Sequence, residues 1–191
     1  MTWQAAEAEL FGEVLVHQDR RPAAFLPGPT DPAAAHIAAA RAEMLLTSLA
    51  LSDGIRGEGP RSEDGDEHAE PSSALQRVEA KLDLVLGLLG TMMAERGDLP
   101  PPTVLRWSTR GARIDMLGDA LAIRPGARGV LRVQPADWLP DCIELPAHAI
   151  AVEGARAWLA FEPLTPPLAD ALERHLFRLH RRQVAESRRL R

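Results

Sequence analysis

Residues 103–117 read TVLRWSTRGARIDML. Two short β-type runs, Thr103–Ser108 and Ala112–Leu117, are divided by a turn at Gly111. Further runs follow at Ala120–Arg124, Gly129–Gln134, Cys142–Val152 and Ala155–Phe161. Turn residues separate them at Gly118-Asp119, Pro125-Gly126 and Glu153-Gly154. Short strands at this spacing predict a small antiparallel barrel or sandwich. Upstream, Leu10–Val16 (LFGEVLV) reads as a strand, and Arg20–Leu26 as a second extended piece. Downstream, an amphipathic helix is expected from about Pro167 to Glu186. Leu168, Leu172, Leu176 and Leu179 form its apolar stripe, and arginines line its other faces.

Between these β-type ends lie two helical stretches. Asp31 is a good N-cap and Pro32 a good first helical residue, and Ala33–Leu51 then runs without a breaker to Ser52-Asp53-Gly54. The second stretch carries a strict heptad, with Leu75, Leu82 and Leu89 at a and Val78, Val85 and Met92 at d. Ser73 and Gln76 make a capping box, and Gly97 followed by Pro100, Pro101 and Pro102 ends the helix. From Ser73 to Arg96 such a rod is about 36 Å long. A repeat this regular is a seam for identical chains. Leucine at a with β-branched residues at d shifts preference from two strands towards more. Leu86 and Met93 at e and Leu88 at g widen the apolar face, which suits a homotetramer. The competing reading is an amphipathic helix packed on its own domain.

The net charge is −5, from 27 acidic and 22 basic residues. Between Asp53 and Glu70, seven acids face Arg56 and Arg61, so this stretch alone carries −5. With nothing to bury, it reads as a disordered tether. The single cysteine, Cys142, excludes an intramolecular disulfide and a cysteine metal cluster, and its ordinary role is a small hydrophobe in a strand. No apolar run reaches membrane-span length and Met1–Leu10 lacks a signal-sequence pattern, so no membrane insertion and a cytoplasmic location are expected.

Catalytic patterns are missing. Asp115, Asp119, Asp137, Asp141 and Glu144 show no paired spacing for acid–base work. His175 and His180, five apart, fall off a common helical face and read as surface histidines, not as metal ligands. No phosphate loop or nucleophile elbow occurs. The arginine-rich C-terminus holds one aromatic, Phe177, within an acidic chain, which argues against nucleic-acid binding. The chain therefore reads as a non-enzyme needing no cofactor or metal.

The stretch LRWSTRGARI (105–114) resembles the strand pair around the S-x-x-G turn of PilZ domains, here Ser108-Thr109-Arg110-Gly111. The run ARAWLAFEPLTPPLADALERHLFRLHRRQ (155–183) is similar to the closing strand and C-terminal helix of that family. The whole arrangement resembles the atypical, coiled-coil tetrameric PilZ proteins, whose family members receive or transmit cyclic di-GMP signals. The resemblance implies an α+β chain: a six-stranded antiparallel barrel with a C-terminal helix, interrupted by a two-helix insertion that forms a coiled coil. Residues 1–30 would open the barrel, 31–52 would be the first inserted helix, 53–72 the acidic linker, 73–97 the heptad helix, and 103–191 the rest of the barrel with its helix.

The departures bear on ligand binding. Cyclic di-GMP receptors of this family carry R-x-x-x-R before the first strand, and no arginine precedes Arg20 here. Arg20 and Arg21 are adjacent and follow the expected first strand. The [DN]-x-S-x-x-G motif keeps only Ser108 and Gly111, because Arg106 stands where an acceptor belongs and cannot accept a hydrogen bond. Losing a bidentate clamp and an edge acceptor removes charged hydrogen bonds worth roughly 1.5–3 kcal/mol each. The reading is thus a homotetrameric signalling adaptor that acts through an unidentified protein partner and does not take cyclic di-GMP in the usual way. The alternative is a direct receptor with a non-standard site built from Arg20, Arg21, Arg106, Ser108, Arg110 and Gly111, helped by Arg113. Trp138, in a proline-rich loop, is the expected exposed anchor for a partner. Trp107 and Trp158 are expected inside the barrel.

Overall fold

The computed structural model describes residues 1–29, 31–57, 99–115 and 123–189, and positions 78, 81, 82, 85, 88 and 92 in between. For residues 52–57 it describes the helical backbone alone. In chain order the elements are helix α1 (Trp3–Phe11), strand β1 (His17–Pro27), helix α2 (Pro32–Gly57), strands β2 (Pro102–Trp107), β3 (Gly111–Asp115), β4 (Arg128–Val133), β5 (Ile143–Glu153) and β6 (Arg156–Phe161), and helix α3 (Pro166–Arg189). The six strands close into one antiparallel barrel in the order β1-β2-β3-β6-β5-β4. β1 joins both ends of the sheet. His17–Pro22 pairs with β2 and Ala23–Pro27 with β4.

Burial alternates along β2, β4 and β5, most plainly in β5, where Ile143, Leu145, Ala147 and Ala149 are buried. A side-chain period of two puts such residues on one face. They meet Leu105, Trp107, Leu131 and Leu159 in a single core. Ala42, Leu46 and Leu49 of α2 and Leu168, Leu172 and Leu176 of α3 join it. Both inserted and C-terminal helices therefore share the barrel's hydrophobic core.

Three expectations of secondary structure are corrected. Leu10–Val16 is not a strand: Leu10 and Phe11 end α1, and the chain turns at Gly12 and at Glu13, whose φ is 56°. Thr2 caps this helix by accepting from the Ala5 amide at 3.3 Å. Ala6, Leu10 and Phe11 form its buried face at helical spacing. The true first strand, His17–Pro27, contains Arg20 and Arg21 instead of preceding them. The second correction concerns α2, which continues to Gly57 and does not stop at Ser52-Asp53-Gly54. The expected linker thus begins as helix, and residues 58–72 lie outside the described residues. The third concerns the run Ala120–Arg124. Ile123 and Arg124 are not in a strand, and 120–122 lie outside the described residues.

The tryptophans divide. Trp107 is fully buried in the core. Trp158 is buried too, but on the other face of β6 from Leu159, in a separate cluster with Ala6, Leu10 and Phe11 of α1. Adjacent strand residues face opposite ways, so Trp158 and Leu159 cannot share a side. Trp138 is half-buried against the core and is not an exposed anchor. Cys142 is buried just ahead of β5, and burial pushes its thiol up to about 11. Among the described residues, no helix is long and apolar enough to cross a membrane.

Candidate functional site

The turn between β2 and β3 is held from three sides. The Ser108 amide donates to the Gly111 carbonyl at 2.9 Å. The Ser108 hydroxyl donates to the Leu10 carbonyl at 2.7 Å and accepts from the Arg110 amide at 3.0 Å. A Cβ on Gly111 would overlap the Leu159 carbonyl oxygen and lie 2.8 Å from Leu10 Cδ2. The turn is therefore packed beneath the end of α1. Arg110 adds to this junction by donating to the Glu9 and Gly12 carbonyls, both at 3.2 Å. A cation on the last carbonyls of a helix also complements its dipole.

Beside the turn, three neighbouring strands align their outward side chains. Arg106 of β2 pairs in register with Arg113 of β3, which pairs with Trp158 of β6. Like charges directly opposite each other repel. Glu7 of α1 resolves this conflict. Its Oε1 accepts from Arg106 at 2.7 Å and from Arg113 at 3.2 Å, while Oε2 accepts from Trp158 Nε1 at 2.6 Å. The Arg106 guanidinium also lies over the Phe11 ring, 4.8 Å from its centroid. One carboxylate thus occupies an anion-binding row on the barrel wall.

Arg20 and Arg21 lie elsewhere. Arg21 is buried, donates to both Asp19 oxygens, and reaches the Gln134 and Pro135 carbonyls at 3.2 and 3.0 Å. Its guanidinium stacks 5.2 Å from the Trp107 ring centroid. Arg20 is exposed, and the two arginines line a cavity against α3. The six residues proposed as one site therefore separate. Arg106, Ser108, Arg110 and Gly111 come together under α1, while Arg20 and Arg21 do not reach them. No motif or spacing marks Glu7 as the residue that completes the first group.

His175 also departs from expectation. It is buried, not a surface histidine, and packs edge-on against Trp107 at 5.9 Å between centroids. Its place was available from spacing, since it lies seven residues after Leu168 and three after Leu172 on the apolar stripe. Burial lowers the His175 pKa to about 3, and the charges of Arg21, Arg178, Arg182 and His17 add to the effect. Burial alone would raise the Asp19 carboxyl, but hydrogen bonds from His17 and Arg21 outweigh it and bring it down to about 2.

These shifts predict a two-stage acid response. The folded His175 pKa lies below the unfolded value, so the unfolded chain takes up that proton first. The stabilisation is complete above pH 6.5 and lost as pH falls towards 3. The slope is about 1.4 kcal/mol per pH unit, or about 2 kcal/mol between pH 6.5 and 5. The Asp19 contribution is lost only below about pH 4. Urea midpoints at pH 6.5 and 5 should differ accordingly, and His175→Leu should flatten that fall. An equally steep fall in the variant would assign it to other groups.

The heptad positions that are described, Val78, Leu82, Val85 and Met92, are helical and about half exposed, as is Leu88. Leu75 and Leu89 lie outside the described residues.

Residues 46–189 match the family model described as "Atypical PilZ domain, cyclic di-GMP receptor". The chain belongs to the atypical PilZ family. A solved PilZ structure from Xanthomonas campestris is 38% identical, with a TM-score of 0.71, and the match covers 95% of this chain and 97% of that one. It is described as a pathogenic protein with a new tetrameric PilZ domain self-assembled via an unusual helical bundle. No curated protein matches the chain. PilZ domains are signalling receptor domains, so the six-stranded barrel and the expected signalling class agree. The family match starts within α2, which leaves α1 and β1 outside it.

Proposed function

We propose that this PilZ protein is a non-enzymatic cytoplasmic adaptor of cyclic di-GMP signalling, tetrameric through its heptad helix and acting on protein partners. In this reading cyclic di-GMP does not bind in the usual mode. The observation that carries it is the placement of α1. Glu7 neutralises Arg106 and Arg113, and Leu10 sits over the S-x-x-G turn. Residues 1–16 contain no arginine, so a phosphate clamp before β1 has no side chains to form it. The tetramer is supported by the apolar heptad positions left open in the single chain and by the helical bundle of the Xanthomonas campestris relative.

A second reading, direct binding through a non-standard arginine site, is favoured by the Arg106–Arg113–Trp158 row and by the receptor description of the family. It requires Glu7 to give way. Calorimetric titration of the full chain with cyclic di-GMP decides between them. We expect no saturable heat at micromolar concentrations. A saturable signal that disappears in Arg106→Ala and Arg110→Ala would establish the second reading.

A further inference from the structure

We infer that the cavity between the start of β1, the 135–138 loop and α3 is a binding site for a small phosphate-bearing molecule. It goes beyond the adaptor reading and uses none of the residues under α1. The cavity has a volume of about 420 Å³ and is lined by His17, Arg21, Trp138, His175, Arg178 and Arg182, among others. Small-molecule sites fall within roughly 300–1,000 Å³.

His175 is the first reason. It is 4% exposed, and neither ring nitrogen has a hydrogen-bond partner. A neutral imidazole carries one N–H donor and one acceptor, and leaving such groups buried and unpaired is costly. An orphaned polar group on the wall of a cavity calls for a ligand within that cavity.

The surrounding charge says which kind. Arg21, Arg178, Arg182 and His17 all act on His175 in the sense of added positive charge. Burial and this field keep the ring neutral, so it can offer an N–H without adding charge of its own. Arg21 is held in place by Asp19 and two backbone carbonyls, which fixes its guanidinium before any ligand arrives. Arg182 is exposed and lines the cavity mouth. Asp19, Asp137 and Glu186 also line the cavity against Arg20, Arg21, Arg178 and Arg182, which leaves an excess of one positive charge with the histidines neutral. Planar guanidinium groups suit phosphate oxygens, and Trp138 supplies an apolar wall for the rest of the molecule.

The test uses the full chain with inorganic pyrophosphate as the probe. Calorimetry should show one saturable site, and the His175 ring signals should move in the nuclear magnetic resonance spectrum of histidine-labelled protein. Arg182→Glu should weaken binding by about tenfold or more, the effect of one lost charged hydrogen bond. His175→Phe, which keeps the buried volume, should weaken it similarly. Should that variant fail to fold, Arg182→Glu and the wild-type ring signals decide. Arg106→Ala should leave binding unchanged. No saturable binding at millimolar pyrophosphate, or binding with the His175 signals fixed, overturns the assignment. So does loss of binding in Arg106→Ala with retention in Arg182→Glu, which would place the anion under α1.

Discussion

Replacing Glu7 with alanine should cost the folded protein about 2–4 kcal/mol, more than any ordinary surface substitution. The reason is what remains. Arg106 and Arg113 would stand opposite each other across two strands with no anion between them. The Trp158 indole N–H, on a ring almost fully buried, would lose its acceptor. Groups left unpaired in this way cost more than the bond itself was worth. Part exposure of Glu7 and Arg106 lets water recover some of the loss, which sets the lower end of the range. Glu7→Gln keeps an acceptor for the indole but not the charge, so it should fall between alanine and wild type. Urea unfolding at one fixed protein concentration measures this, since stability of an oligomer depends on concentration. A loss below about 0.5 kcal/mol, the range of neutral surface changes, would mean that α1 does not hold this wall. The same variant probes the ligand question. Saturable cyclic di-GMP binding gained in Glu7→Ala would show that the carboxylate had been excluding it.

The barrel was legible because its evidence is local. β-type runs and the turn residues between them mark β2, β4, β5 and β6 in the sequence, and those elements form where the runs place them. The cluster of Arg106, Arg110 and Arg113 also follows from closeness to one turn. What covers it does not. Glu7 lies 99 residues before Arg106 and 151 before Trp158, and no short-range pattern links them. LFGEVLV misled because a short apolar run fits a strand or a helix end equally well. Gly12 and the left-handed Glu13 end the helix within it. Misplacing that segment also misplaced Arg20 and Arg21, which belong to the first strand itself. Register explains the split. Outward Gln18 pairs with Arg106, whereas buried Arg21 pairs with Thr103 near the other end of β2. His175 departs from expectation for a different reason. The five-residue spacing to His180 argues against a metal pair but says nothing of burial, whereas spacings of seven and three from Leu168 and Leu172 put His175 on the leucine stripe. Burial of a histidine without partners is exceptional, and sequence rules built on ordinary cases pass over it.

Charging the heptad seam should take the protein from tetramer to monomer. In the variant carrying Leu82→Asp and Val85→Asp, each chain brings two carboxylates to a and d positions. A bundle of four would have to bury eight. Burying an unpaired charge costs several kcal/mol even after relaxation, far beyond what three heptads can offset. The single chain suffers no such penalty. Leu82 is 56% exposed and Val85 51% exposed in it, so the new charges stay in water. The barrel core, built from Leu105, Leu131, Leu145 and Leu159 with α2 and α3, includes neither position. Sedimentation should therefore report a monomer for the variant and a tetramer for the wild type at micromolar concentration. Circular dichroism should keep the β signal of the barrel. A wild-type monomer at that concentration would end the tetramer proposal. A variant that remains tetrameric would move the interface away from the seam. A variant that loses the barrel as well would mean that the helix folds back on its own domain, which is the competing reading of the same heptad.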